Sequence, residues 1–196
     1  FIQNYWIDGS IFPFTKIRKN NTLMLPKSNE TSKQHQGVWI DVFPLDNSSQ
    51  NVILRKKHLY LNRLLFVIAT SSEKSKVLYS KNMINKSGRY VFYALNKIFG
   101  TEIWMNLLYR NSVRYNEKLN DKHYYHLSNG TVVRKQDNFR ISCKDFINMK
   151  DIEFENMNFM SIDNHKMFLE KVYGDYMKMP PKSERIPHHG IIKIRL

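Results

Sequence analysis

A single cysteine, Cys143, is all the chain has. That excludes an internal disulfide framework and any cysteine-rich zinc module. A reduced, cytoplasmic setting is compatible with it. Acidic residues are also scarce, with 17 Asp and Glu against 31 Lys and Arg for a net charge of +14. Such an excess calls for an anionic partner: a nucleotide, nucleic acid, an anionic glycan or a membrane surface. Long apolar runs are missing too. The longest, from Leu59 to Ala69, is interrupted by Asn62 and Arg63 and is too short to cross a bilayer. No repeat, low-complexity tract or linker divides the 196 residues, so one domain or part of one is expected. What is present, 42% hydrophobic and 13% aromatic residues, suffices for a real core.

The stretch Gly37-Val38-Trp39-Ile40-Asp41-Val42-Phe43-Pro44-Leu45-Asp46 organises the rest. Its β-branched and aromatic residues predict a buried strand that Gly37 opens and Pro44 stops, since proline cannot donate to a sheet ladder. Period two sets Trp39, Asp41 and Phe43 on one face and Val38, Ile40 and Val42 on the other. A carboxylate between two aromatics needs compensation. Either Asp41 is a structural ion pair or strand-end cap, or it binds a metal that handles phosphates. Asp46 is the weaker candidate, with a turn or capping role after Pro44.

Upstream, Tyr5-Trp6-Ile7 and Ile11 to Lys16 around Asp8-Gly9-Ser10 predict a hairpin. Gly9-Ser10 reads as a turn, because no paired carboxylates follow it. Phe14 to Arg18 continues as a strand with Lys16 and Arg18 on one face, placed either to hold phosphate oxygens or to face water. The polar stretch 26–36 reads as a loop. Asn47-Ser48-Ser49 is expected to cap a helix from about Val52 to Thr70, buried along Leu54, His58, Leu61, Leu65 and Ile68. Further helices are expected over Arg89–Phe99, Glu102 to about Leu119, and from an Asp163 cap through Tyr173, with Gly174 in a left-handed cap. His123-Tyr124-Tyr125-His126 and Thr131-Val132-Val133 around Asn129-Gly130 predict another hairpin. Its two histidines would face opposite ways, which argues against a metal site.

The Gly37–Asp46 block resembles the signature of the LicD family, the phosphocholine transferases of bacterial cell-surface glycans. Lys16-Ile17 with Thr22 also resembles that family. So does the closing run from Phe168 to Met177 with Tyr173-Gly174, followed by Pro180-Pro181, Arg185 and His188. The resemblance implies an α+β, nucleotidyltransferase-like fold with a small mixed or antiparallel sheet flanked by helices. It implies transfer of phosphocholine, or a related phospho-group, from CDP-choline or a similar CDP-linked donor to a hydroxyl of a glycan acceptor. It also implies Mg²⁺ or Mn²⁺ held by carboxylates from an Asp-rich turn and a later strand. Asp41 matches the strand position as catalytic metal ligand. Lys16, Arg18, Asp46, Arg185 and His188 are the expected phosphate or substrate contacts. Gly37, Trp39, Pro44, Tyr173, Gly174, Pro180 and Pro181 belong to the motifs as architecture. The implied location is cytoplasmic, with a peripheral contact at the inner face of the membrane compatible with the basic charge.

The family's Asp-rich turn has no counterpart upstream of Gly37, where Asp8 is the only acidic residue before Glu30. The chain also begins at Phe1. The expectation is therefore an N-terminally truncated LicD-like domain over 1–196, inactive by itself and competent as part of a longer chain. The rival class is a basic module that binds nucleic acid or another polyanion without catalysis. No recognised nucleic-acid motif is present, so no specific nucleic acid is expected.

Overall fold

A computed structural model describes residues 1–27, 34–74, 77, 83–116, 124–126, 140–185 and 190–196. The expected turn at Asn129-Gly130, the strand after it, His123 and His188 lie outside the described residues. Within them the chain is a mixed α and β structure, with six helices and ten short strands. All strand pairings among the described residues are antiparallel. No described helix is long and apolar enough to cross a membrane.

The first sheet holds β1 (Ile2–Gln3), β2 (Thr15–Arg18) and β4 (Trp39–Val42), in the order β1-β2-β4. Between β1 and β2 the expected hairpin strand at Tyr5–Ile7 is instead a one-turn helix, α1 (Tyr5–Asp8). Asn4 caps it by accepting from the Ile7 amide, and Gly9 ends it at φ 68°. The cap and the left-handed glycine outweigh the β-propensity of three residues. The second pair joins β3 (Leu23–Pro26) to β10 (Ile191–Arg195) across nearly the whole chain. Neither strand carries a local signal strong enough to announce that pairing.

Helix α2 (Val52–Thr70) has the expected bounds. Its cap does not match: Asn51 accepts from the amides of Ile53 and Leu54, while Asp46–Ser48 form a buried strand, β5. Its buried side also departs from the expected stripe. His58, Leu65 and Ile68 are buried as expected, but Leu54 and Leu61 are exposed, and Arg55, Leu59 and Asn62 take their place. Polar groups can go inside because α2 packs on α3 (Met83–Phe99) and α4 (Thr101–Ser112), which supply polar partners. Helix α3 starts earlier and α4 ends earlier than the sequence predicts.

Strand β6 (Tyr124–His126) lies between β5 and β7 (Ile141–Ser142), so Tyr124–His126 pairs with Asp46–Ser48 on one side and with Ile141–Ser142 on the other. After the short α5 (Cys143–Ile147) comes an antiparallel ribbon, β8 (Met149–Phe154) and β9 (Met157–Ile162). Helix α6 (His165–Tyr173) follows, capped at Asn164 rather than at Asp163. Asp163 instead pairs with Lys150 at 2.7 Å. Gly174 has φ 75° and ψ −136°, a conformation suited to glycine but not the expected left-handed cap.

Candidate functional site

The first sheet is polar on its covered side and aliphatic on its open side. Cross-strand rows alternate: Gln3–Lys16–Asp41 lies in one row and Ile2–Ile17–Ile40 in the next. Gln3, Lys16 and Arg18 are buried, whereas Ile17 and Ile40 are exposed. The strand expected to be buried is thus an exposed edge strand, on which Ile40 is 64% exposed. The cause is register. Pairing Lys16 with Asp41 and Arg18 with Trp39 puts all four on the side where the Phe12 and Phe14 rings lie against Lys16, and period two leaves the isoleucines outside.

Lys16 Nζ donates to Asp41 Oδ1 in a short ion pair. The ammonium lies over the rings of Phe12 at 4.7 Å, Trp39 at 4.9 Å and Phe14 at 5.1 Å. The Lys16 side chain is almost covered, and a quarter of the Asp41 side chain remains exposed. Burial pushes the Lys16 ammonium below its ordinary pKa, against the opposing pull of the Asp41 carboxylate.

Arg18 extends the cluster. Nε donates to Gln3 Oε1 at 2.6 Å, Nη1 donates to the Gly37 carbonyl at 2.9 Å, and the guanidinium stacks on Trp39 at 5.1 Å. Burial lowers its pKa, with Asp41 and Asp8 acting against that. Both of those hydrogen bonds go to neutral acceptors. No described carboxylate lies within ion-pair distance of Arg18, although the group is 3% exposed. Gln3 Nε2 in turn donates to Asp8 Oδ2 at 3.1 Å, and the Ser10 amide donates to Asp8 Oδ1.

Sequence reasoning brought Lys16, Arg18, Gly37, Trp39 and Asp41 together, and the structure does the same. It missed Gln3, Phe12 and Phe14, for which only the strand alternation after Phe12 offered a signal. Thr22 is architectural: its hydroxyl donates to the Lys19 carbonyl and accepts from the Val38 amide, tying β2 to the entry of β4. Asp46 lies elsewhere. It is buried in β5, where Asn116 Nδ2 donates to it at 2.9 Å. Arg185 Nε donates to the Pro180 carbonyl at 2.8 Å, and no described hydrogen bond or ion pair joins it to the Lys16 cluster. Tyr173, Pro180 and Pro181 are exposed in the closing segment.

The donor set around Asp41 does not suit a divalent ion by itself. One carboxylate oxygen is taken by Lys16, Asp8 is occupied by Gln3 and Ser10, and no group of three His, Cys, Asp or Glu gathers among the described residues.

No family model, no curated protein and no solved structure matches the chain.

Proposed function

We propose that this chain is part of a phosphotransferase of LicD type, which moves phosphocholine or a related phospho-group from a CDP-linked donor to a glycan hydroxyl. The observation that carries the reading is the buried Arg18 guanidinium, hydrogen-bonded to neutral acceptors beside the Lys16–Asp41 pair. A buried cation without a directly paired anion is costly, and a diphosphate oxygen is the acceptor best matched to a guanidinium fork. In this reading Arg18 and Lys16 meet the charge that develops on the departing cytidine monophosphate. Asp41 holds the Lys16 ammonium in place through their ion pair and balances its charge when no phosphate is bound. Trp39 supplies the flat wall on which Arg18 is held. The divalent ion implied by the resemblance would need carboxylates besides Asp41, and no step is assigned to it.

The test is release of cytidine monophosphate from CDP-choline by the complete protein, in the presence and absence of Mg²⁺. Arg18→Met and Asp41→Asn should each lower turnover by more than tenfold with the fold intact, a loss of at least about 1.4 kcal/mol in barrier terms. Turnover within tenfold of wild type in both variants rejects the site. Sub-micromolar DNA binding at physiological salt, with no turnover of any cytidine diphosphate donor, rejects the transferase in favour of a polyanion-binding module.

A further inference from the structure

Helix α2 does not keep its apolar residues to one side. Its packed side holds Arg55, His58 and Asn62 beside Leu59, Leu65, Ile68 and Ala69. Its outer side presents Ile53 at 65%, Tyr60 at 64% and Leu64 at 47% exposure. Those three fall at i, i+7 and i+11, one line along the helix about 16 Å long. Lys57 sits within that line and Lys56 beside it, both exposed. The charge asymmetry extends through the layer. Helices α2, α3 and α4 together contain eight Lys or Arg and one acidic residue, Glu102.

An apolar and aromatic line flanked by lysines, on a helix with no acidic residue, combines two attractions that a single partner satisfies. Apolar side chains gain by entering a hydrocarbon boundary, and lysines gain beside anionic headgroups. Nucleic acid would meet the lysines but leave Ile53 and Leu64 facing water. A second copy of so basic a helix would set lysine against lysine. We infer that the outer face of α2 docks this protein onto an anionic bilayer, lying in the interface without crossing it. The inference is independent of the transfer reading, since no residue of the Lys16 cluster takes part in it.

The measurement is co-sedimentation at physiological ionic strength with vesicles of phosphatidylglycerol and phosphatidylcholine in equal parts, and with pure phosphatidylcholine vesicles. The wild-type protein should pellet with the first and remain in solution with the second. Ile53→Asp combined with Leu64→Asp should abolish pelleting. Lys56→Gln combined with Lys57→Gln should weaken it roughly 25-fold. All these positions are exposed, so wild-type circular dichroism and melting are expected in both variants. If the aspartate pair unfolds the protein, the glutamine pair decides. Three results overturn the inference: no pelleting with anionic vesicles, pelleting that a folded aspartate pair leaves unchanged, or a 25-fold effect that fails to appear in the glutamine pair. Light scattering that shows a dimer dissolved by the aspartate pair would assign the face to a second copy. Complete displacement of vesicles by a DNA duplex whose binding survives the aspartate pair would assign it to nucleic acid. Either result also overturns the bilayer.

Discussion

Asp41 meets Lys16 inside a ring of Phe12, Phe14 and Trp39, and that neighbourhood decides what the carboxylate can bind. A divalent ion approaching Asp41 must displace an ammonium that is already desolvated and charge-matched. The chain should therefore bind Mn²⁺ only weakly, and calorimetry should show no micromolar site. A micromolar site lost in Asp41→Asn would contradict this. The pairing was half legible in the sequence. A carboxylate between aromatics announced a need for compensation, and like-facing Lys16 and Arg18 were visible as candidates, but only the register of β2 against β4 selects Lys16. His58 gives a second prediction at this scale. Its ring is buried, Nε2 donates to the Asn111 carbonyl, and burial lowers its pKa below 6.5, with the Asn111 hydrogen bond opposing the shift. A lowered folded-state pKa means the unfolded chain binds the proton more tightly. The contribution is therefore fully present above the unfolded value of about 6.5 and is lost as pH falls through the folded value. Urea midpoints should drop between pH 7.5 and 5.5 in the wild type, and drop less in His58→Gln.

Among the elements, the entry of β4 is the tightest point around the site. A Cβ on Gly37 would lie 2.3 Å from the Lys19 carbonyl oxygen and 2.7 Å from His35 Cε1. The Lys19 oxygen belongs to backbone that hydrogen-bonds across to Val38, so it cannot yield cheaply. Gly37→Ala should cost about 2–3 kcal/mol in chemical denaturation. Gly9→Ala, with a left-handed φ of 68° and open space around it, should cost nearer 1 kcal/mol. Equal losses would show that strain, and not the close approach, governs both. The existence of the longer helices was readable because their period is local, and for α2 the bounds Val52–Thr70 were too, whereas the caps and the ends of α3 and α4 were not. The inside of α2 was not. A pattern that assumes apolar residues face inward chose Leu54 and Leu61, whereas Asn62 and His58 face in because Asn111 donates to Asn62 and accepts from His58. Polar pairings of that kind depend on a neighbouring helix and leave no mark on the helix itself.

Across the whole molecule, stability is distributed unevenly. Leu59, Ala69, Met105 and Leu108 are buried where α2 meets its helical neighbours. The β8–β9 ribbon and α6 contain no buried residue. A two-stranded ribbon is marginal alone, and the exposed Lys150–Asp163 pair adds little to it. Native-state hydrogen exchange should show amides of 149–162 opening at least about 2 kcal/mol more easily than those in the middle of α2. Equal protection would mean that the ribbon unfolds only with the helices. The mixed α and β character and the small antiparallel sheets were foreseeable from short β-rich runs among helical periods. The partition into separate small sheets was not, since it turns on which distant strands find each other.

The pairing of β3 with β10 makes this a question of timing. Leu23–Pro26 leaves the ribosome long before Ile191–Arg195 has been translated. Closing that loop costs about 3 kcal/mol more than closing a tight hairpin. Until then the nascent chain presents an apolar strand, Leu23-Met24-Leu25, with an unsatisfied edge. Such an edge can template pairing with another chain. Folding yield should therefore depend on whatever shields that edge during synthesis, so that a holdase chaperone, or a slower rate of initiation on each message, raises the soluble fraction without altering the finished protein.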